Sequence, residues 1–109
     1  MELIQLQTSD KENSVKYLLK LDGKDIGYGY IFDRENNPIE IFIAEEHQSN
    51  GYGKIFFNSL LKIVKNKGLK GVLFKVDRSN YRFINIIQKA GAFEIGREAL
   101  EIKYAIKLQ

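Results

Sequence analysis

The chain has 109 residues, 44% hydrophobic and 12% aromatic, with a net charge of +3 from 17 basic and 14 acidic side chains. That composition supplies one hydrophobic core, argues against disorder, and makes residues 1–109 read as a single domain. The absence of Cys excludes disulfides, thiolate metal sites and a cysteine nucleophile, and the one His, His47, has no carboxylates spaced around it to build a metal site.

The mild basic excess favours an anionic ligand, but no basic run or basic helix face argues for nucleic acid. No apolar run approaches the roughly 18 residues of a membrane helix, and the N-terminus carries no signal-peptide core. The chain therefore reads as a soluble, cytoplasmic protein.

In chain order, Ile4 and Leu6 alternate with polar neighbours and predict a short first strand. Thr8 to Ser14 is polar and reads as a loop. Val15, Tyr17, Leu19 and Leu21 predict a second strand, and Asp22-Gly23-Lys24-Asp25 a tight hairpin. Ile26, Tyr28, Tyr30 and Phe32 place four large side chains on one face of a third strand. Gly27 and Gly29 leave its other face bare, which occurs where something packs closely. A polar turn from Asp33 to Asn37 leads to a fourth apolar strand, Pro38 to Ala44, completing a four-stranded antiparallel meander.

The period then changes from two to 3.6. Ile55, Phe56, Leu60, Ile63 and Val64 predict a helix from Gly51–Lys54 to about Lys67, with Gly68 at its C-cap. Val72 to Val76 is a nearly continuous apolar run, expected as a strand parallel to the fourth. Phe83, Ile84, Ile87 and Ala90 predict a second helix from about Asn80 to Ala90, capped by Ser79 or Asp77 and ended by Gly91. Phe93 and Ile95 form a short strand, Gly96 to Glu98 a turn, and Leu100 to Leu108 a closing strand with clear alternation. The result is a mixed, mostly antiparallel α+β fold of order β-β-β-β-α-β-α-β-β, with a central β-α-β crossover.

The connection between the fourth strand and the first helix, Gln48-Ser49-Asn50-Gly51-Tyr52-Gly53, is the principal motif. A glycine turn at a helix start presents unpaired N–H groups at the positive end of the helix dipole, a ready site for phosphate oxygens. It also lies at the C-terminal end of a central strand, where open sheets place ligands.

These residues resemble the GNAT superfamily of acyl-CoA-dependent N-acetyltransferases. The family's pyrophosphate motif is Gln or Arg, two residues, Gly, one residue, then Gly or Ala. Gln48, Gly51 and Gly53 fill its fixed positions. Asn80, Gly91 and Phe93 resemble the second motif, with Ala92 inserted. The resemblance extends from about residue 15 to the C-terminus. It implies acetyl-CoA as acyl donor, a primary amine of a small molecule or protein as acceptor, and no metal. CoA would be held by Ile41 and Ile43 through their main chain, by Gln48, Ser49, Asn50, Gly51, Tyr52, Gly53 and Lys54 around the phosphates, and by Asn80. Lys54, or Arg78 and Arg82, could add charge. The Ile43 N–H is the expected donor to the thioester carbonyl.

Three departures qualify that resemblance. The family carries two helices where only Thr8 to Ser14 stands here, which implies an open acceptor side or one completed by a homodimer partner. The helix-borne tyrosine that serves as general acid is replaced by Ile87, seven residues past Asn80. Asn37 stands where some members carry a glutamate base. Glu40, beside the expected thioester position, is the candidate base, ahead of His47, and Tyr81 and Tyr104 are alternative proton donors. A CoA-binding regulatory or interaction module without catalysis is the alternative.

Overall fold

A computed structural model describes residues 1–7 and 10–109, so Thr8 and Ser9 of the predicted first loop lie outside the described residues. The strands are β1 (Glu2–Gln5), β2 (Ser14–Leu21), β3 (Lys24–Phe32), β4 (Ile39–Ile43), β5 (Gly71–Asp77), β6 (Phe93–Arg97) and β7 (Glu101–Lys107). The helices are α1 (Tyr52–Lys65) and α2 (Tyr81–Lys89), with a single 3₁₀ turn at Glu45–His47. Element order and type follow the sequence expectation, and the fold is mixed α+β with antiparallel pairing.

β1 to β4 form an antiparallel sheet in sequence order, and β5-β7-β6 form a second. The β2–β3 hairpin turns on Asp22 (φ 51°) and Gly23 (φ 80°), two left-handed residues whose twist matches that of the strands they join. Gly29 is bare because α1 needs the room: a Cβ there would come within 3.1 Å of both Phe56 Cζ and Leu60 Cδ1. Phe56, Phe57, Leu60 and Val64 form the buried stripe of α1 against this face. Phe57 also meets Phe74 of β5 and Phe83 of α2 at ring-centroid distances of 5.7 and 5.8 Å, which joins the two halves of the core.

Several details depart from the sequence reading. A register shift between Leu19 and Lys20 makes Ile26 an extra residue in β3, and Ile26 joins the core rather than the row of Tyr28, Tyr30 and Phe32. α1 ends at Lys65, and Gly68 (φ 88°) turns the chain after it. Asn80 itself caps α2, accepting from the Phe83 N–H at 3.3 Å, while Asp77 accepts from the Ser79 N–H and hydroxyl. β6 continues through Gly96 to Arg97, so the turn falls after it.

The largest difference is at the centre. β4 and β5 do not pair along their length; among the described residues a parallel bridge joins Asn36, just before β4, to Leu73 of β5. Asn37 acts as the clip: its N–H donates to the Leu73 carbonyl at 2.7 Å and its side-chain oxygen accepts from the Lys75 N–H at 3.0 Å. Beyond this clip β4 has no strand partner on that side among the described residues, and a cleft opens there, walled by β4, the loop after it, the start of α1 and α2.

Candidate functional site

Strand alternation determines what faces that cleft. Phe32 N–H donates to the Pro38 carbonyl and Ala44 N–H to the Ile26 carbonyl, so the even-numbered residues of this segment turn their main chain toward β3. The main chain of Ile39, Ile41 and Ile43 therefore turns to the open side. Ile41, Phe42 and Ile43 line the cleft, whose volume is about 690 Å³.

The loop after β4 closes one end of the cleft. Ser49 (φ 68°) and Gly51 (φ 83°) both adopt left-handed backbone, a bend of the kind that gathers N–H groups into anion-binding concavities. Gly51 is the N-cap of α1, and no capping side chain bonds there. The first-turn N–H groups, at Tyr52, Gly53 and Lys54, thus keep their donor capacity at the positive end of a 14-residue helix. A Cβ on Gly51 would meet open space, so glycine is required there for its φ. A Cβ on Gly53 would lie 3.0 Å from Ile86 Cδ1 and 3.9 Å from Ile41 and Ile43 side-chain atoms, so this glycine lets α1, α2 and β4 converge.

Gln48 pins the loop. Its Nε2 donates to the Ile43 carbonyl at 3.0 Å, and its Oε1 accepts from Arg82 Nη1 of α2. Gln48, Ser49, Gly51, Gly53, Lys54 and Asn80 all line the cleft. Arg82 lines it too, whereas Arg78 turns its guanidinium to the Ala99 carbonyl. Asn50 and Tyr52 are not among its lining residues, although both belong to the loop and helix start. Sequence reasoning missed Phe42, Phe83, Asn85, Ile86 and Lys89. Lys89 stands seven residues past Arg82, two helical turns along one face, and that spacing could have revealed it. Three cations, Lys54, Arg82 and Lys89, therefore surround the site, which suits a polyanionic ligand.

Ile87 is 0% exposed and packs in the core. Glu40 does not line the cleft; it lies on the sheet face away from α1, opposite Tyr30, with its Oε2 2.7 Å from Lys11 Nζ. That contact raises the Lys11 pKa above its ordinary value, chiefly through the hydrogen bond from Lys11 to Glu40. His47 stands edge-on to Tyr52 at 6.1 Å, near the loop. Tyr104 is buried in the core and Tyr81 is exposed at the start of α2. Among the described residues, no group of three or more His, Asp or Glu is placed to hold a metal ion, and no helix is long and apolar enough to cross a membrane.

A strand with its main chain free toward a gap, followed by a glycine-started helix ringed with cations, defines a fold that can cradle a phosphorylated ligand along an open strand edge. The chain belongs to the acetyltransferase (GNAT) family, whose model matches residues 2–92. Its fold is similar to that of a domain from Methanocaldococcus jannaschii, at 24% identity and a TM-score of 0.73, over 90% of this chain and 69% of that one. It is also similar to the Campylobacter jejuni N-acetyltransferase PseH in complex with acetyl coenzyme A, at 13% identity and a TM-score of 0.75, over 91% and 71%. A third similar fold is the ribosomal-protein-S18-alanine N-acetyltransferase of Escherichia coli, at 18% identity and a TM-score of 0.71, over 92% and 72%. No curated protein sequence matches the chain.

Proposed function

We propose that this chain is an acetyl-CoA-dependent N-acetyltransferase that passes an acetyl group to a primary amine by direct attack, working as one domain over residues 1–109 in the cytoplasm. Its support is family membership together with one observation: the Ile41 main chain and the Ile43 N–H turn away from β3 along the cleft that ends at the α1 N-terminus, while the Ile43 carbonyl is held by Gln48. Backbone N–H groups of residues 51–54, with Lys54, Arg82 and Lys89, would hold the phosphates. Gln48 would keep that loop in register, Ser49, Asn50 and Tyr52 would shape it, and Asn80 would contact the cofactor arm. Ile41 and Ile43 would pair with the pantetheine as a neighbouring strand does.

Bound acetyl-CoA supplies the activated thioester carbonyl. The Ile43 N–H would donate to that oxygen as charge develops on it. The acceptor nitrogen forms the new C–N bond as the C–S bond breaks, the thiolate leaves with that electron pair, and Glu40 takes the amine's proton. Holding the two reactants together supplies up to about 7–11 kcal/mol of the barrier, so turnover does not depend on a helix-borne tyrosine acid. Titration calorimetry tests the reading: acetyl-CoA binds the wild-type chain, and amines release thiol from it. Absence of binding overturns it.

Ile87 favours a second reading, a non-catalytic CoA-binding regulatory module, because an apolar, fully buried side chain stands in place of the family's acid. That reading predicts binding with no thiol release across a broad amine panel. A homodimer is a further proposal. The outer strand β6 carries Phe93 and Ile95 exposed at the edge of its sheet, where pairing with another chain is available. A monomeric mass by light scattering at high concentration would count against it.

A further inference from the structure

The sheet face away from α1 carries a cluster of aromatic rings gathered around a lysine ammonium. Tyr28, Tyr30 and Phe32 form a row along β3, and Phe42 of β4 stacks on Tyr28 at 4.9 Å. Lys11 Nζ lies over three of these rings, 4.8 Å from the Tyr30 centroid, 5.7 Å from Phe42 and 5.9 Å from Phe32. It also contacts Glu40 Oε2 at 2.7 Å. Lys16 Nζ also lies over Tyr28 and Tyr30, and Asp10 accepts from the Tyr30 hydroxyl. Aromatic faces with a carboxylate beside an ammonium nitrogen are the chemistry that recognises an alkylammonium, through ring quadrupoles and a charge-assisted hydrogen bond.

Two features leave this seat within reach of another occupant. The Lys11 and Glu40 side chains keep 40% and 34% of their exposure, so both are reachable from solvent. Phe42, itself 43% exposed, belongs both to the ring cluster and to the lining of the cleft. The ammonium seat therefore adjoins the open strand edge on the sheet face opposite α1.

We propose that Glu40, Tyr30, Phe32 and Phe42 form a binding site for a primary alkylammonium, that this site seats the acceptor amine, and that Lys11 occupies it as an internal stand-in. The assignment as acceptor seat rests on the acetyltransferase reading above. Binding here selects aliphatic amines that are protonated in water. An incoming ammonium displaces Lys11 and keeps contact with Glu40. The raised pKa of Lys11 agrees with a seat that stabilises the protonated form.

The test uses n-butylammonium chloride, with 1-butanol as its neutral counterpart, followed by NMR of the ring protons without acetyl-CoA. Lys11→Met keeps the aliphatic stem and removes the charge paired with Glu40, leaving Lys16 over Tyr28 and Tyr30 and Arg34 over Phe32. It should bind n-butylammonium about tenfold tighter than wild type, with shifts centred on Tyr30, Phe32 and Phe42 and no response to 1-butanol. Adding Glu40→Gln should reverse the gain, and a retained dispersed amide spectrum shows that each variant is folded. Equal affinity in wild type and Lys11→Met, an equal response to 1-butanol, or shifts centred elsewhere would overturn the site. Calorimetry with acetyl-CoA on the same samples separates the two readings. Ammonium binding without acetyl-CoA binding overturns the acetyl-transfer reading and leaves the ammonium site standing.

Discussion

The Gln48 side chain returns to the carbonyl of Ile43 at 3.0 Å, tying the glycine loop before α1 to the last residue of β4. The same amide accepts from Arg82, so one side chain holds β4, the loop and α2 together. Gln48→Ala removes both contacts without touching the core. A hydrogen bond of this kind contributes about 1–2 kcal/mol, so acetyl-CoA affinity should fall roughly tenfold in calorimetry while thermal stability changes little. Unchanged affinity would remove Gln48 from the site.

Gly51 and Gly53 should fail in different ways. At Gly51 a Cβ has space but the φ of 83° is unfavourable, so Gly51→Ala should cost about 1 kcal/mol of stability in urea unfolding. Gly53→Glu adds a bulky anion beside Ile86 at the helix start, and should abolish acetyl-CoA binding by calorimetry.

Restoring the family's tyrosine should not create a general acid. Ile87 has no exposed surface, and a larger polar side chain there overpacks the core. Ile87→Tyr should destabilise the fold by about 1–3 kcal/mol in thermal unfolding, with no gain in thiol release. A faster enzyme of undiminished stability would refute this.

Asn37→Ala tests the clip between the sheets. It leaves the Lys75 N–H without its side-chain acceptor, and a loss of about 1–3 kcal/mol in urea unfolding is expected. Asn37→Asp, which keeps the acceptor oxygen, should recover most of it.

Acid should weaken the fold through carboxylates that are paired in it. Glu94 is held below its ordinary value chiefly by the hydrogen bond from Arg97, and Glu98 chiefly by that from Lys103. Asp77 is lowered mainly by the Ser79 hydroxyl. Each folded pKa lies below its unfolded value, so the stability these groups contribute is complete above pH 4.5, the higher of the reference values, and is lost as pH falls through the folded pKa. The urea midpoint should be flat near neutrality and decline below about pH 4.5, less steeply in Glu98→Gln.

Periodicity was enough to place every strand and both helices, because each element buries one face and writes that face into its own residues. The loop from Gln48 to Gly53 was equally legible, since a left-handed turn at a helix start demands glycine locally. The ring cluster was only half visible: alternation put Tyr28, Tyr30 and Phe32 together, but a bulge withdrew Ile26 from their face. What periodicity could not supply were the contacts between distant segments. The divergence of β4 from β5 depends on Asn37 reaching Lys75, 38 residues away. Arg82 reaches Gln48 across 34 residues, and Lys11 reaches Glu40 across 29. Such pairings are chosen when the sheets pack, by which backbone groups are left without partners and which charges meet. Local residue pattern therefore sufficed for the glycine loop before α1, and tertiary packing alone decided the open strand edge and the ring cluster on the other sheet face.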